Sequence, residues 1–149
     1  MGESGETQRQ AGAEMDVIAI GRLFRDWAEA ARRGDAEALA ALVTEDAEFW
    51  TQGSVAVRGR AAVRATMAAF FERFELEQDF EREELLLDGD LALVRGVEVN
   101  RVRPRDGLPP LAVTEVRQRA FSILLRGADG VWRFARGMTN RPPDPPPKL

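Results

Sequence analysis

The sequence predicts an α+β fold: a curved antiparallel sheet wrapped around three N-terminal helices, forming a cone with one apolar pocket. Three observations carry this expectation. Apolar residues in the first half recur at spacings of three and four. The second half alternates in long runs cut by Asp88-Gly89-Asp90 and Gly127-Ala128-Asp129-Gly130. The helical segments mostly precede the long strands, which argues against a doubly wound parallel sheet.

Residues 1–14 are rich in Gly, Glu, Gln and Ser and read as a disordered tail. Asp16 is a plausible N-cap for a first helix whose stripe is Val17, Ile20, Leu23, Phe24 and Trp27. Gly34 suits the residue just past its end, and Asp35 caps a second helix from Ala36 to about Val43. Thr44-Glu45-Asp46 reads as a break, Ala47 to Thr51 as a strand, Gln52-Gly53-Ser54 as a turn, and Val55 to Arg58 as the returning strand. A third helix, about Arg60 to Phe74, buries Val63, Met67, Phe70, Phe71 and Phe74. Four strands follow: Leu76 to Leu87, Leu91 to Arg103, Val113 to Arg126 and Val131 to Asn140, with a proline- and glycine-rich loop from Arg105 to Pro110. The cone domain therefore spans 15–141, and 142–149 is a proline-rich, extended tail.

Composition narrows the chemistry. The net charge of −4 argues against nucleic-acid binding. The sequence contains no Cys, no His and no Tyr. Thiolate and imidazole nucleophiles, bases and metal ligands are thus excluded, and so is any triad built on His. Acidic residues are scattered, so neither a metal nor another cofactor is expected. No apolar run is long enough to cross a membrane and no signal-peptide core follows Met1, so a cytoplasmic location is expected.

Three stretches carry a family resemblance. They are Trp27 with Gly34-Asp35-Ala36-Glu37-Ala38-Leu39 and Asp46-Ala47; Val57-Arg58-Gly59-Arg60-Ala61-Ala62-Val63-Arg64; and Gly130-Val131-Trp132-Arg133-Phe134. Together they resemble the nuclear-transport-factor-2-like superfamily, the cone fold of ketosteroid isomerases, and within it the SnoaL-like and SgcJ/EcaC-like group. The resemblance covers roughly Asp16 to Arg141. It implies a homodimer formed through the sheet face and a small apolar organic ligand. It also implies a cofactor-independent isomerase, cyclase, dehydratase or hydrolase acting on an apolar, polyketide-like metabolite. The ketosteroid isomerase residues are not carried over. Its phenol position falls on Trp27, its general-base position on Thr51, and its second acid near Phe121 or Ser122. A non-catalytic ligand-binding or accessory dimer is therefore the alternative.

Among the remaining residues, Glu98 is the best carboxylate for acid–base work, because a buried Glu has its pKa raised. A cross-strand ion pair with Arg117, Arg119 or Arg136 is the plainer account of it. Glu98 and Asn100 share a strand face with Ala92, Val94 and Gly96; that face suits a pocket wall, although the opposite assignment is nearly as plausible. On the last strand Arg136, Met138 and Asn140 follow Trp132 and Phe134 on one face, which puts Arg136 at the pocket edge as a second candidate catalytic group, unless a bulge sends it outward. Trp27, Trp50, Gln52, Phe70, Phe74 and Gln118 complete the expected lining, with plain core packing as the simpler role for the aromatics.

Overall fold

A computed structural model describes residues 3–105 and 113–147. The chain order is α1 (Glu3–Arg33), α2 (Ala36–Ala41), β1 (Val43–Trp50), β2 (Val57–Arg58), α3 (Arg60–Arg73), β3 (Phe74–Asp88), β4 (Leu91–Pro104), β5 (Thr114–Arg126) and β6 (Trp132–Asn140). The six strands form one sheet in the order β2-β1-β6-β5-β4-β3. All neighbours are antiparallel except β1 and β6, which run parallel. The expected all-antiparallel sheet is corrected at that one seam. The crossover through α3 and the β3–β5 meander returns the last strand alongside the first.

Two further expectations change. Helix α1 continues through the expected tail to Glu3, and residues 4–15 are exposed along it. Glu6, Gln8, Arg9, Gln10, Ala11, Ala13 and Glu14 are good helix formers, enough to carry Gly5 and Gly12 at about 1 kcal/mol each. The expected break at Thr44-Glu45-Asp46 instead lies inside β1, whose pairing with β6 shifts register between Val43 and Glu48. The loop from Arg105 to Pro110 lies, beyond Arg105 itself, outside the described residues.

Local sequence explains the joints. Gly34 takes φ +66° after α1, a left-handed turn open to glycine, and Asp35 Oδ1 accepts from the Ala38 N–H at 2.9 Å to start α2. At the Arg58-Gly59-Arg60 corner, the Arg60 guanidinium donates to the Val43 carbonyl at 2.8 and 3.1 Å and to Glu45 Oε1 at 3.0 Å. This motif therefore binds the start of α3 to the start of β1. In the last hairpin, Arg133 and the Val131 N–H hold the Asp129 carboxyl down at about 2.

The helices pack on one side of the sheet. Ile20, Leu23, Val43, Ala47, Ala92, Val94, Leu124, Trp132 and Phe134 form the main core, and Ala30, Ala31, Leu39, Phe71 and Leu76 form a second cluster under α2 and α3. The rings of Phe24 and Phe80 stack at 4.5 Å, and Phe134 meets Phe24 at 5.0 Å and Trp27 at 5.2 Å.

Asp16 shows a role that spacing alone did not reveal. It lies inside α1 rather than capping it, and its Oδ1 accepts from Arg126 Nη1 at 2.7 Å and Trp132 Nε1 at 3.0 Å. Arg126 also binds Asp90 at 2.8 Å and lies 5.3 Å from the Trp132 ring centre. This latch joins α1 to both hairpin ends. Asp16→Ala should cost about 2 kcal/mol in urea unfolding, because it leaves the indole N–H and the guanidinium short of an acceptor. A cost below about 0.5 kcal/mol would show that solvent replaces the latch.

Candidate functional site

The concave, helix-facing side of the sheet is apolar at one end and polar at the other. Directly paired strand residues share a face, so register assigns the sides. At the apolar end, Ala92 and Val94 of β4 lie among Leu85, Leu87 and Leu124. Further along, Glu98 pairs with Phe80 on β3 and Gln118 on β5, while Asn100 pairs with Gln78 and Val116. The contact of Phe80 with Phe24 fixes this as the helix side.

The polar end is organised by hydrogen bonds. Asn100 Nδ2 donates to Glu98 Oε1 at 2.6 Å, and Gln78 Nε2 donates to Asn100 Oδ1 at 2.7 Å and also supports Glu98. Burial pushes the Glu98 carboxyl above its ordinary range, and the two carboxamide bonds pull only partly against it. Gln118 is buried beside it, and Thr139, on the concave face of β6, has a buried hydroxyl oxygen without a hydrogen-bond partner among the described residues. The result is one carboxylic acid and three carboxamides arranged around half-buried Phe80.

The expected ion pair is not formed. Arg117 lies near Glu81, Arg119 donates to Asn140 Oδ1 at 2.8 Å, and Arg136 donates to the Asp46 carbonyl at 2.9 Å. All three belong to the convex face.

The last strand corrects the expected common face for Phe134, Arg136, Met138 and Asn140. Leu124 pairs with Phe134, but Ile123 pairs with Arg136, so Ala135 is an extra residue in β6. That bulge reverses the phase of alternation. Phe134 stays in the core, whereas Arg136, Met138 and Asn140 turn outward and Gly137 turns inward beneath the Phe49 ring. The structure therefore separates Arg136 from Glu98 by the thickness of the sheet.

The remaining candidates divide as well. Trp27 lies inside, between Phe49 at 6.2 Å and Phe134 at 5.2 Å. Phe70 packs on the second core cluster and lies 5.2 Å from Phe74. Trp50 stands on the convex face opposite Met138, with Nε1 donating to Glu48 Oε1 at 2.5 Å. Gln52 is exposed in the turn after β1, where its Oε1 accepts from the Arg141 N–H. Thr51 is exposed just past β1, and Ser122 is half-buried on the concave face opposite Val94. Sequence reasoning missed Gln78 and Thr139. The signal for Gln78 was hidden by a second bulge, between Arg82 and Glu84, which shifts the β3–β4 register by one residue.

Among the described residues, no group of three or more His, Cys, Asp or Glu is placed to hold a metal ion. No helix among them is long and apolar enough to cross a membrane.

A SnoaL-like domain family model matches residues 24–124. The chain belongs to the SnoaL-like domain family. Its nuclear-transport-factor-2-like fold recurs in solved structures. A conserved protein from Planctomyces limnophilus is 29% identical, with a TM-score of 0.77, covering 85% of this chain and 98% of that one. An NTF2-like protein with a cystatin-like fold from Novosphingobium aromaticivorans is 23% identical, with a TM-score of 0.77, covering 98% and 94%. A candidate dehydratase of the NTF2-like family from Streptomyces avermitilis is 21% identical, with a TM-score of 0.72, covering 87% and 99%. No curated protein matches the chain.

Proposed function

We propose that this SnoaL-like protein is a cofactor-independent enzyme that binds a small apolar metabolite on the concave face and uses Glu98 as its acid–base group. The observation that carries this reading is the Glu98–Asn100–Gln78 chain on the helix-facing side of the sheet. A carboxyl whose hold on its proton is strengthened by burial can act as acid toward a leaving or carbonyl oxygen and, once ionised, as base toward carbon. Asn100 holds one carboxyl oxygen, and Gln118 offers an amide to a ligand oxygen. Proton shuffling of this kind suits isomerisation, cyclisation or dehydration of a polyketide-like substrate; the fold neighbour named as a candidate dehydratase lies in the same class.

The test is turnover of a panel of apolar hydroxyketones and epoxides, followed by mass spectrometry. Glu98→Gln keeps the acceptor for Asn100 and should lower kcat by about 100-fold or more, while ligand-induced stabilisation persists. Unchanged turnover would remove Glu98 from the chemistry. Binding without conversion in the wild-type chain would favour the non-catalytic ligand-binding alternative, which the lack of a second carboxylate beside Glu98 among the described residues supports.

Stability gives a second check. The folded-state pKa of Glu98 lies above the unfolded value, so its contribution is fully present below the unfolded pKa and is lost as pH rises through the folded pKa. Glu98→Gln should therefore lose less stability than wild type on going from pH 4 to pH 8. Parallel melting curves for the two proteins across that range would contradict the burial of the acid.

We also propose that the chain acts as a homodimer through the convex face. Trp50, Phe121 and Met138 support this, being 56%, 40% and 47% exposed in adjacent register positions.

A further inference from the structure

Glu48, Trp50, Phe121, Ile123, Arg136 and Met138 bound an open groove of about 410 Å³ on the convex face. Its walls are mostly apolar, with the Arg136 guanidinium half exposed at one side. Three residues beyond Met138 the chain leaves β6 as Arg141-Pro142-Pro143-Asp144-Pro145-Pro146-Pro147, exposed at every residue. Five prolines around one aspartate favour an extended left-handed polyproline helix, and Pro142 to Pro147 would span about 19 Å.

The exit geometry selects where this segment can go. The Arg141 N–H is held by Gln52, and residues followed by proline are kept extended. A reversal at Arg141-Pro142-Pro143 is therefore disfavoured, so the segment runs off its own sheet instead of folding back over Met138 and Trp50. Proline ridges pack well against aromatic walls and lose little entropy on binding, because the segment is already stiff. Asp144 interrupts the prolines and can face the Arg136 guanidinium, whose ion pair with Asp46 is loose at 3.5 Å, while the Glu48 carboxylate on the same wall is already held by Trp50 Nε1 and Arg58.

We propose that the proline segment of one copy straps into the convex groove of a second copy, with prolines against Trp50, Phe121 and Met138 and Asp144 facing Arg136. A two-fold arrangement makes the exchange reciprocal, giving two segments in two grooves. This inference rests on the homodimer reading and deepens it: the partner's segment, seated between the two convex faces, is what covers Trp50, Phe121 and Met138 in the dimer.

The experiment compares the full chain with one truncated after Arg141 by sedimentation equilibrium. Truncation should weaken dimerisation about tenfold or more. A peptide of residues 141–147 added to the truncated chain should change Trp fluorescence saturably, and this change should vanish in Trp50→Ala, since Trp132 is buried and half-buried Trp27 packs against Phe49 and Phe134 on the opposite, helix-facing side of the sheet. Equal dimer affinity with and without the segment overturns the strap while leaving the sheet-face dimer standing. A monomeric full chain at all concentrations overturns both. A peptide that leaves fluorescence unchanged overturns the groove as its seat.

Discussion

Replacing Phe134 by alanine should destabilise the protein by about 3–5 kcal/mol in urea unfolding. Phe134 is buried where β6 meets α1, with Phe24 at 5.0 Å and Trp27 at 5.2 Å. Its N–H also donates to the Leu42 carbonyl at 2.9 Å, which fixes the backbone of β6 against the end of α2. Truncation removes the ring but not that bond, so the strand cannot move in to fill the void. Phe134→Leu should recover a good part of the loss by restoring volume without the edge-to-face contacts. A Phe134→Ala cost near 1 kcal/mol would mean that the aromatic cluster under α1 is not packed as described.

Gly96→Ala should be nearly as damaging, at about 3 kcal/mol. A Cβ at this position would sit 2.1 Å from the Glu81 carbonyl oxygen and 2.9 Å from Phe80 Cζ. The first obstacle is backbone, so no rotamer change relieves it, and the β3–β4 pairing must open. Phe80 would then be driven from Phe24 and from the strand pair that presents Glu98. Gly96→Ala should thus weaken ligand stabilisation as well as fold stability. Gly21→Ala is the control: beyond its chain neighbours and the adjacent backbone of α1 no atom lies within 4 Å of its Cβ position, and it should gain about 0.5–1 kcal/mol from helix propensity. Equal effects of the two substitutions would refute the close approach at Gly96.

Most of the elements were legible in the sequence. The stripe from Ile20 to Trp27 gave α1 its buried face, and Gly34-Asp35 marked its end. The Asp88-Gly89-Asp90 and Gly127 to Gly130 turns bounded β3, β4, β5 and β6. The partnership of Asp16 with Arg126 and Trp132 was not legible, because its members lie 110 and 116 residues apart and neither spacing has a local signature.

The sequence by itself determined most of the helices and strands, though not the extension of α1 to Glu3 or of β1 through Thr44-Glu45-Asp46; it also determined that Cys and His chemistry is unavailable and that Glu98 and Asn100 share one strand face. Only the tertiary structure decided what each face meets. Strand alternation has a period of two, so one extra residue exchanges inside and outside for everything beyond it. The bulge at Ala135 sent Arg136 and Met138 to the convex groove, and the one between Arg82 and Glu84 brought Phe80 and Gln78 to Glu98. Neither bulge is written in the hydrophobic pattern, because it is packing across the sheet that sets the register.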